Sequence, residues 1–130
     1  MASLDDLIAQ ARNVARRAHA PYSHFRVGAA VRDADGRMFV GCNVESASYG
    51  LTMCAERNAI FGAIASGAAP PLTAMALTCL DADSAGGCMP CGACRQIIWE
   101  HLASDAPIAV DGGRVFTSAE LLPHAFALTP

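Results

Sequence analysis

Three cysteines and one glutamate carry the chemistry legible in this chain. Cys54-Ala55-Glu56 and, further along, Pro90-Cys91-Gly92-Ala93-Cys94 offer three thiolates and a spare carboxylate. A structural zinc site closes its tetrahedron with four protein ligands, whereas a hydrolytic one presents three and leaves the fourth position to water. Cys54, Cys91 and Cys94 are the candidate ligands of one Zn2+ per subunit, and Glu56 is the candidate proton carrier. A zinc at such a site brings its water to a pKa near ~7, so a nucleophile is available without strong base. Three thiolates also leave the cluster negative, and a nearby cation should draw charge off the sulfurs. Arg57 is the first candidate, with Arg95 and Gln96 as further ones.

Both cysteine groups fall where helices should begin. Residues 54–66 carry Ile60, Phe61, Ala63 and Ile64 at helical spacing and end at Gly67 with Pro70 and Pro71; residues 94–103 return to that period through Ile97, Ile98 and Leu102. A helix N-terminus carries partial positive charge and free N–H groups, which favour thiolate over thiol.

The remaining chain reads as the scaffold for these two helix starts. Ser3 and Asp6 resemble an N-cap for an amphipathic helix over residues 4–18. Residues 27–32 and 37–41 read as strands of a hairpin joined by Asp33-Ala34-Asp35-Gly36. Residues 72–80 read as a buried strand and 81–89 as a loop. Residues 107–110 and 114–116 read as strands around Gly112-Gly113, and Thr117-x-x-Glu120 as a capping box for a last short helix. This order predicts an α/β fold, a three-layer α/β/α sandwich with one mixed, about five-stranded sheet, in one domain spanning residues 1–130.

Composition narrows the partners. Nine basic and twelve acidic side chains give a formal charge of −3, and no basic run is present to neutralise a phosphate backbone, so nucleic acid is excluded as a partner. Asp5 and Asp6 stand where a signal peptide needs a basic start, and no apolar run reaches membrane-spanning length; a cytoplasmic protein without membrane contact is the expectation. In a reducing compartment the six cysteines should be thiols or metal ligands. Cys42 and Cys79 then read as small buried apolar residues and Cys88 as a loop thiol, with a closed four-cysteine site including Cys88 as the structural alternative. The four histidines are not spaced as a ligand set.

The pattern of a first ligand, a glutamate two residues later and P-C-x-x-C downstream matches the signature of zinc deaminases acting on nucleobases. Residues 21–30 (Pro-Tyr-Ser-His-Phe-Arg-Val-Gly-Ala-Ala), 43–50 (Asn-Val-Glu-Ser-Ala-Ser-Tyr-Gly), Cys54-Ala55-Glu56-Arg57 and residues 90–96 extend the match over almost the whole chain. On these residues the sequence resembles the small homotetrameric cytidine deaminases. The resemblance implies zinc on Cys54, Cys91 and Cys94, Glu56 as the catalytic proton shuttle and Arg57 as the sulfur-bonding cation. It implies further that Phe25 lines the pyrimidine site, that Asn43 and Glu45 bind the ribose hydroxyl, and that the backbone at Ala55 contacts the base. Tyr49 and Phe126 would reach into a neighbouring subunit's site of a homotetramer. Ser46, where Asn is common, Cys88 and the short tail after Phe126 depart from the family pattern. Asn43 and Glu45, with no phosphate loop or basic cluster near them, favour a neutral pyrimidine nucleoside over a nucleotide, because Glu45 would repel a phosphate. The implied reaction is deamination of cytidine and 2′-deoxycytidine in pyrimidine salvage. A modified pyrimidine nucleoside or a nucleoside antibiotic such as blasticidin S is the alternative substrate, and a non-enzymatic zinc-stabilised binding module the alternative class.

Overall fold

A computed structural model of the chain describes residues 1–84 and 87–129. Its elements, in order, are α1 (Leu4–Ala15), β1 (Val27–Arg32), β2 (Met38–Cys42), α2 (Ala55–Ala65), β3 (Ala74–Cys79), α3 (Gly92–His101), β4 (Ile108–Val110), β5 (Val115–Phe116) and α4 (Ser118–Leu121), with a 3-10 turn at Tyr49–Leu51. Five strands form one sheet in the order β2-β1-β3-β4-β5. β1 runs antiparallel to both β2 and β3, β4 runs parallel to β3, and β5 turns back on β4. The mixed three-layer sandwich matches the expected fold class, and most strand and helix boundaries lie within one or two residues of those read from the sequence.

Alternation along β1 and β3 divides the core between the two faces of the sheet. Ala30, Ala74 and Ala76 point to one side and meet Leu7 and Ala11 of α1. Ala29, Val31, Met75 and Leu77 point to the other and pack with Ala55, Ala59 and Ile60 of α2 and with Cys94 and Ile98 of α3. Small residues let the layers approach closely. A Cβ on Gly28 would run into the backbone and side chain of α1 at Ala11 and Ala15, and one on Gly41 would meet α2 backbone at Ala55 and Ala59. The second of these contacts lays the beginning of α2 directly on the sheet.

Two local results differ from the sequence reading. α1 stops at Ala15, short of residue 18. The chain must leave the helix there because His19 bridges to Val44, donating its N–H to Asn43 O at 3.0 Å and accepting from Glu45 N at 2.8 Å, and because Ala20 precedes Pro21. Asp33, read as a turn former, is fully buried and acts as the hub of the hairpin. Its carboxylate accepts from the N–H groups of Asp35, Arg37 and Ala69 at 2.9–3.0 Å and from Arg37 Nε at 3.0 Å. Burial alone would raise its pKa; these donors outweigh it and hold the carboxyl below the usual value.

Candidate metal centre and substrate cleft

Cys54 is the N-cap of α2 and Cys91 the N-cap of α3, and neither thiol caps its own helix. Cys94 lies in the first turn of α3 and is fully buried. The crossover from β3 through α3 to the parallel strand β4 brings the start of α3 beside the start of α2. The three sulfurs lie within 4.8 Å of one another and are the one group of three or more potential metal ligands among the described residues. Cys54 and Cys91 sulfurs are 3.9 Å apart and those of Cys91 and Cys94 3.5 Å. Two thiolates on a tetrahedral zinc at ~2.3 Å stand ~3.8 Å apart, so these cysteines fit the ion. No histidine belongs to the cluster.

Within the cluster the surroundings favour the thiolate at Cys54. Arg57, one helical turn after Cys54, donates from Nη2 to Cys54 Sγ at 3.2 Å. The Cys94 thiol and then Arg57 stabilise the Cys54 thiolate against the opposing effect of burial, and bring the Cys54 pKa down to about 5. Cys94, facing that charge and buried, is pushed up. Arg57 Nε is buried without a partner. Arg95 and Gln96 lie elsewhere: Arg95 donates to Pro90 O and Leu121 O at 2.8 Å, and Gln96 to Phe126 O at 2.9 Å. They tie α4 and the tail to α3 and leave charge relief to Arg57.

Cys79 and Cys88 are joined by a disulfide, which corrects the reading of both as thiols. Cys88 is 3% exposed, and its sulfur is committed to the end of β3. The bond ties that strand end to the segment leading into Pro90 and Cys91, and the closed four-cysteine alternative loses its fourth ligand. Cys42, half-buried, remains a free thiol outside the cluster.

Glu56 sits at the bottom of a cleft of about 370 Å³ beside the cysteines, within the size range of small-molecule sites. Its side chain is almost wholly buried and enters no ion pair among the described residues. Burial, aided by the Cys54 charge, raises its pKa to about 7, where a carboxyl group can hold or release a proton near neutral pH. Phe25, Asn43, Glu45, Tyr49 and Ala55 line the same cleft. Tyr49, 57% exposed, lines the cleft, and Phe126, 70% exposed, does not line the cleft of its own chain.

The polar wall is an extension of β2. Val44 exchanges both backbone hydrogen bonds with Met53 at 3.0 Å, which sets Asn43 and Glu45 beside Cys54. Asn43 accepts from Val27 N at 2.9 Å and donates to Phe25 O at 2.8 Å, so it also fixes the backbone at Phe25. Glu45 is 4% exposed and accepts from Tyr22 N, Ser23 N and Ser23 Oγ. The Ser23 hydroxyl is the main cause of its lowered pKa, and the Ser23 and Tyr22 N–H groups and His24 act in the same direction. Ser23, Val27, Leu77, Thr52 and Met89 also line the cleft and were not singled out as site residues from the sequence. The C-terminal ends of buried strands could have pointed to Leu77, but only the folded chain shows which end faces the cysteines.

Comparison with known proteins adds the family. The model of the cytidine and deoxycytidylate deaminase zinc-binding region matches residues 1–109. A cytidine deaminase of Sporosarcina psychrophila is 40% identical over 128 residues, covering 95% of this chain and 91% of that protein. The crystal structure of a cytidine deaminase from Burkholderia pseudomallei superposes with a TM-score of 0.87 at 42% identity, over 96% of this chain and 100% of that one. That of the Mycobacterium tuberculosis cytidine deaminase does so with a TM-score of 0.85 at 39% identity, over 98% and 100%.

Proposed function

Because this chain belongs to the zinc-dependent cytidine deaminase family, we propose that residues 1–130 act as one catalytic domain converting cytidine and 2′-deoxycytidine, with water, to the uridine analogues and ammonia. The observation that carries the reading is the placement of a buried Glu56, free of any ion pair among the described residues, beside a three-cysteine cluster and in a cleft that Asn43 and Glu45 also line. Zinc, when held by Cys54, Cys91 and Cys94, is the Lewis acid that makes water nucleophilic near neutral pH. With zinc held there, Glu56 would take a proton from the attacking water and pass it to the pyrimidine ring nitrogen, then take the proton left on the added hydroxyl and hand it to the departing amine. Arg57 holds Cys54 by its sulfur and spreads the cluster's negative charge. Phe25 offers its ring to the base.

Substrate choice rests on hydrogen-bond inventory. Three donors occupy Glu45, which leaves one acceptor direction of the carboxylate for the cleft; Asn43 has one N–H left. A neighbouring acceptor and donor suit a hydroxyl group, which can donate to one and accept from the other. A phosphate has no proton to give Glu45 and is repelled by its charge. The ligand is thus a neutral sugar-bearing pyrimidine. An ultraviolet assay across cytidine, deoxycytidine, cytosine, CMP and modified cytidines tests the assignment. Cytidine and deoxycytidine should be turned over far faster than cytosine or CMP. Comparable rates with cytosine or CMP would overturn it, and preference for a modified base would move the assignment to a modified nucleoside.

Assembly as a homotetramer in the cytoplasm completes the proposal. Leu51, Phe126 and Leu128 are each 70% exposed or more, and Phe61, Ile64 and Tyr49 are also exposed, apolar surface that subunit contacts would cover. No helix among the described residues is long and apolar enough to cross a membrane. Light scattering at assay concentration should give four chains per particle; a fully active monomer would contradict it.

A further inference from the structure

We infer that Ser23 is a positioning residue for substrate selection, acting through Glu45 and Phe25 without touching the nucleoside itself. The inference rests on the reading of Glu45 as the sugar-facing acceptor. A serine hydroxyl has one proton to give. In this chain that proton is directed at Glu45 Oε2, while the Ser23 oxygen accepts the Phe25 N–H at 3.0 Å. Its donor is spent, so it has none for a ligand although the residue borders the cleft.

The same residue also donates its backbone N–H to Glu45 Oε1 at 3.1 Å, next to Tyr22 N at 3.0 Å. Both oxygens of the carboxylate are therefore gripped from one short segment, and among the described residues Ser23 Oγ alone hydrogen-bonds to Oε2. No cation forms an ion pair with Glu45 among the described residues. Three hydrogen bonds hold the buried charge, with His24 favouring it from beyond ion-pair distance, and among the described residues the hydroxyl supplies the only side-chain hydrogen bond. Through Phe25 N the hydroxyl couples the sugar wall of the cleft to its aromatic wall. Removing it would let the Glu45 carboxylate rotate away from the sugar and loosen the Phe25 backbone. Hydrogen bonds to charged groups are strong enough for this loss to show as roughly tenfold or more.

The test compares zinc-loaded wild type, Ser23→Ala, Ser23→Thr and Glu45→Ala on cytidine and on 2′,3′-dideoxycytidine, which lacks both secondary hydroxyls. Ser23→Ala should raise KM for cytidine about tenfold with kcat changed less than about threefold, and its penalty on the dideoxy substrate should shrink to within about threefold. Ser23→Thr, which keeps the hydroxyl, should restore most of the cytidine KM. An equal Ser23→Ala penalty on both substrates, or no rescue by threonine, would overturn the positioning role. If Glu45→Ala also costs the same on both substrates, the fault lies instead with the sugar-facing reading of Glu45. Should Ser23→Ala fail to fold, Ser23→Cys, with a weaker donor of similar size, must show the same substrate-dependent loss in reduced degree; its absence would overturn the proposal equally.

Discussion

The guanidinium of Arg57 donates to the sulfur of Cys54 at 3.2 Å from one turn further along the same helix. The proposed metal ligand and the cation that bonds its sulfur are thereby one structural unit: whatever places Cys54 places Arg57. Loss of an outer partner of a metal ligand typically lowers metal affinity by about 10–100-fold. Arg57→Gln should weaken zinc binding within that range, read by competition with a chromogenic chelator. Unchanged affinity and turnover would leave Arg57 a packing residue.

Glu56 is the only acid in the first turn of α2. Glu56→Gln preserves shape and burial but removes the proton acceptor. The variant should bind zinc as wild type does and lose more than the roughly 10²–10⁴-fold that a single general acid–base step supplies, since the proposed mechanism asks one carboxylate for several proton transfers. A folded, zinc-loaded variant within about tenfold of wild-type kcat would exclude this role.

The disulfide separates the roles of neighbouring cysteines. Cys91→Ala should abolish stoichiometric zinc, whereas Cys88→Ala should retain one zinc per chain, because its sulfur is held by Cys79 and not by the cluster. Elemental analysis of the purified variants decides between them. Zinc loss in Cys88→Ala would revive a four-cysteine site.

Acid sensitivity should reveal the Arg26–Asp81 pair, which joins the start of β1 to the residues after β3. Arg26 donates to both Asp81 oxygens from its side chain, at 3.0 and 2.9 Å, and from its backbone at 2.8 Å, holding the Asp81 pKa at about 2. An unfolded aspartate titrates near ~3.9, so in the interval between these values the unfolded chain binds more protons. The stability gained from the pair is complete above about pH 4 and drains away as pH falls towards 2. In urea titrations of metal-free protein, Asp81→Asn should be less stable than wild type at pH 6 and the gap should narrow by pH 3. A gap independent of pH would mean that the charge of Asp81 contributes nothing to stability.

The parts of this fold that follow from local pattern were legible in the sequence, and those that depend on pairing between distant residues were not. β1 and its hairpin partner declare themselves as short apolar runs joined by Asp33–Gly36, and the helices by period and caps. The cysteine cluster was legible because residue type and spacing state the chemistry before any geometry is known. Cys79 and Cys88 look like a strand residue and a loop residue because nothing local marks their approach. Asp33 looks like a solvated turn until Ala69, far along the chain, donates to it. Ser23 is hidden for a related reason: its function lies in which carboxylate receives its proton, a fact of three dimensions.

Cys54 and Cys91 are 37 residues apart, and β3 lies wholly between them, hydrogen-bonded to β1 on one side and β4 on the other. A metal ion joining the two helix starts therefore closes a loop around a strand that sits in the middle of the sheet. The three sulfurs converge only where both helix starts are packed on the sheet, so the expectation is that the ion binds a chain whose strands are already assembled. Bonds absent from the folding transition state act on the rate of unfolding. Zinc then works as a latch: stripping it should speed unfolding while leaving the refolding rate nearly untouched.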